Sequence, residues 1–376
     1  MSSSLENKDY TKRKGELNMV HIAENQMKAA VWHEAKDVRV EAVEIPKPKS
    51  NEVKVEVMWA GICGSDLHEY LHGPMTIPTE THPVSGKKAP LTLGHEFSGR
   101  VTEVGENVQH YNIGDVVVIN PLVSCGKCHA CLNGHENICD SLGFVGLVQD
   151  GGFAEYVVVN EKHVNHMPNS LSYEEGALVE PTAVAVYAVK RSQLKIGNTC
   201  AVFGVGPIGL LTIQAAKAAG ATRIFAIDVS QERLEKAKEV GATVVINPLN
   251  ENVVEAILSH TNGIGVDVCY EVAGVQTTLT SALEAVKKLG EVMIISLFAE
   301  PGQVNLFQTV LKQYQLTGSA AYDQETFKEA IQLIDSGQID AKKIITKKIK
   351  LENIVAEGFE TLVNDKAQSK ILIQMK

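Results

Sequence analysis

Three groups of residues in this chain have types and spacings suited to chemistry. In the first, Gly204, Gly206 and Gly209 follow an apolar run, Cys200 to Phe203, and lead into an Ala/Leu-rich stretch from Pro207 to Ala219. A second apolar run, Arg223 to Ile227, ends on Asp228, 19 positions after Gly209. Glycines so placed between a strand and a helix allow a tight turn (Gly204), close backbone approach to a pyrophosphate (Gly206) and helix–strand contact (Gly209). Pro207 and Ile208 open the helix, whose unpaired N–H groups face a diphosphate. Asp228 accepts hydrogen bonds from ribose hydroxyls and repels a 2′-phosphate, which favours NAD over NADP. The alternative is a glycine-rich turn that binds nothing.

The second group is Cys125, Cys128, Cys131 and Cys139, spaced C-x₂-C-x₂-C-x₇-C. Four thiolates at this spacing close tetrahedrally around one Zn²⁺ and leave no position for substrate, so the site is structural. A nucleic-acid-reading zinc knuckle and a cluster of free buried thiols are the alternatives.

The third group is dispersed. Cys63, Ser65, Asp66 and His68 follow a strand, His95 and Glu96 come about thirty residues later, and Glu180 stands where the helical half begins. A thiolate (Cys63), an imidazole (His95) and a carboxylate (Glu180) make three ligands and leave a fourth position open, the arrangement of a catalytic zinc. Taken singly, each has a plainer reading: a buried apolar cysteine, a satisfied core histidine, a carboxylate at a helix N-terminus.

The elements that position these groups change character along the chain. From Met27 to about Tyr156 the apolar runs are short, β-branched and punctuated by Gly, Pro and Asp, which predicts an all-β unit. From about Glu174 helical patterns alternate with buried strands. ERLEKAKEVG, VVEAILSHTNG and QTTLTSALEAVKKLG read as helices, and six strands in all make a doubly wound parallel sheet. The tail from Tyr322 returns to mixed character, so the nucleotide unit is predicted to be an insertion. Hydrophobic content of 44%, charged content of 21% and a formal charge of −10 describe an ordinary globular chain with no basic patch for nucleic acid. No apolar run reaches membrane-spanning length. Residues 1–26, polar and of mixed charge, read as a flexible leader and not a signal or transit peptide. Clustered cysteines point to metal binding and to the cytoplasm.

GICGSDLHEY, GHEFSGRVTEVG, the cysteine lobe, GDVVV and VFGVGPIG, in this order, resemble the zinc-dependent medium-chain alcohol and polyol dehydrogenases over about Met27 to Lys376. The resemblance implies an α/β chain. A GroES-like β-barrel catalytic domain (27–178 and 321–376, with a structural-zinc lobe at 121–141) would carry an inserted Rossmann domain at 179–320. It implies two zinc ions per chain, NAD, a small-molecule substrate and a homodimer or homotetramer. By the same pattern Cys63, His95 and Glu180 hold the catalytic zinc, with Glu96 an alternating or supporting carboxylate. Asp66 orients His95, and Ser65 and His68 begin and end a proton relay. Softer expectations place Arg233 over the adenine, Thr182 at the nicotinamide, and Ala273, Ser296 and Phe298 at the strand ends beside the cofactor. His72 and His82 read as exposed loop residues or, less simply, as part of the substrate mouth. ICGSDLHEYLHGPMTIPTETHP and GALVEPTAVAVYAV resemble the branch acting on 2,3-butanediol and acetoin. Polyol or threonine oxidation, and a non-catalytic nucleotide-binding role, are the alternatives.

Overall fold

The computed structural model describes residues 23–376. The expected leader lies outside the described residues apart from its last four, and Gln26 already opens the first strand. The first half builds β1 (Gln26–Glu34), β2 (Asp37–Glu44), β3 (Glu52–Gly61), α1 (Gly64–His72), β4 (Leu91–Thr92), β5 (Glu96–Val104) and β6 (Val116–Ile119). There follow β7 (Leu122–Val123), α2 (His129–Leu132), β8 (Gly143–Phe144), β9 (Tyr156–Asn160), β10 (Val164–His166), α3 (Tyr173–Gly176) and α4 (Val179–Arg191). Strand β3 illustrates why these segments form sheet. Val53, Val55 and Val57 are fully buried while Lys54 and Glu56 alternate with them towards the other face.

The second unit alternates strictly: β11 (Thr199–Phe203), α5 (Pro207–Ala218), β12 (Arg223–Ile227), α6 (Gln231–Val240), β13 (Val244–Ile246), α7 (Val253–His260), β14 (Val266–Glu271), α8 (Gln276–Ala285), β15 (Val286–Ile294), α9 (Leu306–Lys312) and β16 (Gln315–Gly318). Its six strands are parallel, in the order β13-β12-β11-β14-β15-β16. The alternation along β11 explains the two helical layers. Cys200 and Val202 enter one core, and Ala201 and Phe203 the other, on the opposite face. Strand order reverses between β11 and β14, so the crevice for a ligand lies at their carboxyl ends.

The tail then adds α10 (Gln324–Asp335), β17 (Ile345–Lys350), α11 (Glu360–Asn364) and β18 (Lys370–Gln374). Strand β18 pairs antiparallel with β3 and parallel with β17, so the chain's end completes the first unit's large sheet. The six-strand count and the inserted position of the nucleotide unit agree with the sequence reading. One element differs: the helix expected through Gly290 stops at Ala285. Val286 is instead buried in pairing with Val266, and Lys287 reaches Asp267, so strand pairing captures the end of a helical pattern. Among the described residues, no helix is long and apolar enough to cross a membrane.

Candidate active site

The glycine turn between β11 and α5 separates structural need from ligand need. Gly204 has φ +93, and a Cβ there would meet the Cβ of Ala273 at 2.9 Å. A Cβ on Gly209 would lie 2.0 Å from the Gly204 carbonyl oxygen, so helix and turn touch through it. Gly206 is different: its φ is −66, and a Cβ would meet nothing within 4 Å. The protein itself does not require glycine there, which fits a group lying against the turn. Pro207 and Ile208 form the first turn of α5. The turn opens on a cleft of about 390 Å³ lined by Gly204, Gly206, Asp228, Arg233 and Ala273 among others. Asp228 braces the turn by accepting from the N–H of Val205 (2.9 Å) and of Ser230 (2.9 Å). Its carboxylate at the cleft disfavours a further phosphate, the physical basis for NAD.

At the second constellation, α1 begins immediately after Cys63, whose N–H donates to Asp66 Oδ2 at 2.9 Å. The other oxygen, Oδ1, lies 3.4 Å from His95 Nδ1; both atoms are buried, and neither has another partner. This turns His95 Nε2 towards Ser65 Oγ, 3.3 Å away. Donor atoms of Cys63, His95 and Glu96 all fall within 4.8 Å of one another. Burial pulls the His95 imidazole down, but Asp66 and Cys63 outweigh it and hold it well above its ordinary value. The pocket thus favours positive charge at this point, and a thiolate, an imidazole and a carboxylate are donors that fit zinc.

Two carboxylates compete for that place. Glu96, the first residue of β5, has both oxygens on Lys370 Nζ, at 2.8 and 2.7 Å, and Lys370 also donates to the Ile62 carbonyl at 2.9 Å. Glu180, near the start of α4, accepts from the Tyr322 hydroxyl at 3.0 Å. Burial lifts Glu180 to about 7, with His95 opposing and Glu96 adding to the rise. Glu180 is not within the 4.8 Å group that contains Glu96. Lys370 and Tyr322 belong to no motif of the sequence. A lysine opening the apolar run KILIQM was the one local sign of the first.

The four lobe cysteines also bring their sulfurs within 4.8 Å of one another. Backbone N–H groups of Lys127 and Cys128 point at Cys125 Sγ, those of Cys125 and Ser141 at Cys139 Sγ, and that of Cys131 at Cys128 Sγ. Such bonds, from Cys131 first and Asp140 second, pull Cys128 down to about 6. Cys125 is lowered too, by the N–H groups of Lys127 and Cys128, whereas burial and its contact with Cys128 push Cys131 up to about 12, so the lobe favours thiolate at two of its positions. Asn137, within the lobe, donates to Tyr187 Oη (3.2 Å) and the Ala320 carbonyl (2.9 Å), tying the lobe to the nucleotide unit.

The softer expectations divide. Arg233 lines the cleft and donates to the Gln368 carbonyl at 3.2 Å. Ala273 lines it too, and Ser296 adjoins it through Glu271. Phe298 faces a separate hollow with Leu279, Ile294 and Leu316. Thr182 is buried and donates its hydroxyl to the Leu178 carbonyl at 2.7 Å, one turn back in its own helix. His68 and His72 are exposed; His82 is half-buried, accepting from the Ser85 N–H at 3.2 Å. Asp323 caps α10 by accepting from the Thr326 N–H at 2.7 Å.

A β unit built from both chain ends, an inserted parallel sheet with a nucleotide cleft, a Cys/His/carboxylate centre and a separate four-cysteine lobe together define a metal-dependent dehydrogenase. Comparison with known proteins agrees. Residues 49–169 match the alcohol dehydrogenase GroES-like domain, and residues 207–336 match the zinc-binding dehydrogenase family. The chain belongs to the zinc-binding alcohol dehydrogenases and is an NAD-dependent enzyme of that class. It is 46% identical over 353 residues to (R,R)-butanediol dehydrogenase of Bacillus subtilis, covering 93% of this chain and 99% of that one. It is 38% identical over 339 residues to sorbitol dehydrogenase of the same organism, covering 89% and 93%. The crystal structure of 2R,3R-butanediol dehydrogenase from Bacillus subtilis superposes with a TM-score of 0.88, covering 93% of this chain and all of that one.

Proposed function

We propose that this enzyme interconverts (R,R)-2,3-butanediol and acetoin, with NAD(H) as hydride carrier. The observation that carries the substrate class is the 46% identity, over nearly the whole of both chains, to a butanediol dehydrogenase. When bound, zinc would supply Lewis acidity at the substrate oxygen and NAD a hydride acceptor. The chain's own residues do the rest. Cys63 and His95 are the fixed metal ligands and Glu180 the third, because Lys370 already balances the charge of Glu96. Asp66 holds the His95 ring through Nδ1 and leaves Nε2 for the metal. Ser65 accepts the substrate's hydroxyl proton as its own hydroxyl proton passes on towards His68 and solvent. His68 is three residues further along α1 and exposed, so the same helix face runs from the site to solvent.

Cys125, Cys128, Cys131 and Cys139 hold the second, structural zinc. At the cofactor, Gly204, Gly206, Gly209 and the start of α5 receive the diphosphate, Asp228 the adenosine ribose, and Arg233 and Ala273 the walls. The proposed domains are 27–178 with 321–376, and 179–320. We also assign a homo-oligomer joined at β16. This edge strand has no partner on its outer side among the described residues, and Leu306, Phe307, Val310 and Leu311 of the adjacent α9 are all more than half exposed. Four cysteines clustered at metal-ligand spacing favour a cytoplasmic setting.

Oxidation of butanediol, sorbitol and threonine and reduction of acetoin, each followed through NADH absorbance, test the substrate. Butanediol and acetoin turning over at least tenfold more efficiently than the others supports it. The 38% identity to a sorbitol dehydrogenase supports a polyol as the second reading, and a preference for sorbitol would install it.

A further inference from the structure

Glu271 ends β14, level with Phe203 on one neighbouring strand and Ile294 on the other. It is fully buried, yet no Lys, Arg or His among the described residues forms a salt bridge with it. Burying a lone carboxylate is costly unless donors replace its water. Here they do. Oε1 accepts from the N–H groups of Ala273 and Gly274 (3.0 Å each) and from the Thr278 hydroxyl (2.7 Å). Oε2 accepts from Gly274 N–H at 3.2 Å and from the Ser296 hydroxyl. The main chain adds to the tie, because the Glu271 carbonyl accepts from the Ile295 N–H at 2.9 Å.

These contacts converge on the cofactor cleft. Ala273, Val275 and Thr278 line it, and Ala273 abuts Gly204 of the glycine turn closely enough that a Cβ there would sit 2.9 Å away. One carboxylate therefore gathers the turn after β14, the first turn of α8 and the loop after β15 into a single wall. An apolar residue at this place would fill the space but leave two backbone N–H groups and the Ser296 hydroxyl without acceptors, and the Thr278 hydroxyl with only the Val275 carbonyl at 2.8 Å. They would then be able to turn towards water or towards the cofactor.

We infer that Glu271 is a positioning residue for NAD: it fixes the cleft wall opposite the glycine turn before the cofactor arrives. The inference rests on the reading of the cleft as the NAD site. Its basis is acceptor geometry, so an amide should serve nearly as well as a carboxylate. Glutamine keeps one oxygen for Ala273, Gly274 and Thr278, and the Ser296 hydroxyl can turn to accept from the new amide.

The test is NADH titration by calorimetry on the zinc-replete enzyme and its Glu271→Leu and Glu271→Gln variants, with KM for NAD and for the alcohol measured separately. Expected are NADH binding weakened about tenfold or more in Glu271→Leu, within about threefold of the parent in Glu271→Gln, and a rise in KM confined to NAD. Folding is checked by circular dichroism. Should Glu271→Leu not fold, the milder double variant Thr278→Val/Ser296→Ala decides, with a loss of about fivefold in NADH affinity expected. A folded Glu271→Leu or double variant that binds NADH as tightly as the parent overturns the inference. A KM effect shared equally by NAD and alcohol overturns it too. A parent that gives no heat with NADH overturns the cofactor reading as well, and so separates the two failures.

Discussion

Lys370 Nζ lies 2.8 and 2.7 Å from the two oxygens of Glu96, and both side chains are sealed from solvent at the centre of the site. One residue opens β18 near the chain's end and the other opens β5, 274 positions earlier. The tail strand thus does more than close a sheet: it brings the cation that neutralises one of two rival carboxylates. Removing one partner of a buried pair leaves the other charged and uncompensated. Lys370→Met should cost about 3–5 kcal/mol of stability, and adding Glu96→Gln should recover part of it. Urea unfolding of the metal-matched proteins measures both. A double variant less stable than Lys370→Met would contradict this account.

Gly206 and Gly209 sit in one motif but answer to different demands. Gly206→Ala should leave the melting temperature within a degree or two, since the new methyl meets no protein atom, yet raise KM for NAD about tenfold or more. Gly209→Ala should destabilise the fold itself, because its methyl would meet the Gly204 carbonyl at 2.0 Å. Thermal unfolding without cofactor, set beside NAD titration, separates the two. Equal effects of both substitutions on stability would refute the distinction.

The contrast also marks where sequence reading reached. The glycine spacing, the four-cysteine lobe and the six alternating strands were legible because each is a local pattern, set by residues within a few turns of one another. That Cys63 and His95 come together was legible by resemblance and by donor chemistry. Lys370 on Glu96, Tyr322 on Glu180 and the donors around Glu271 were not. The first two depend on distant segments meeting, and the third depends on which way short side chains turn at strand ends. Phe298 illustrates the same limit in reverse: it follows the carboxyl end of β15 within the nucleotide unit, yet it lines a different hollow from the cofactor cleft.

Cys63→Ser should lower turnover on the order of a thousandfold by removing a thiolate from the metal set, while NADH binding stays near that of the parent. Metal analysis should fall from two zinc ions per chain towards one, because the lobe cysteines are untouched. Two zinc ions and preserved turnover in the variant would defeat the ligand assignment.

Acid stability should carry the mark of His163. Its Nδ1–H donates to the Asn120 carbonyl at 3.0 Å in a buried setting, and burial, aided by Lys162, lowers it from 6.5 to about 4. The unfolded chain therefore binds a proton that the folded chain refuses between about pH 6.5 and 4. The stability it contributes is present above that window and lost as pH falls through it, by up to about 3 kcal/mol. His163→Gln should flatten this part of the stability–pH curve, measured by denaturant midpoints at pH 7 and 4.5. An unchanged slope would count against it.

The central claim is that a zinc-dependent site on the β unit and an NAD cleft on the inserted unit act on one vicinal diol. The most direct measurement follows NADH formation from (R,R)-2,3-butanediol before chelation, after dialysis against a strong chelator, and after zinc is restored. The account predicts turnover, its loss, and its return with zinc. Turnover that survives verified removal of zinc would contradict it.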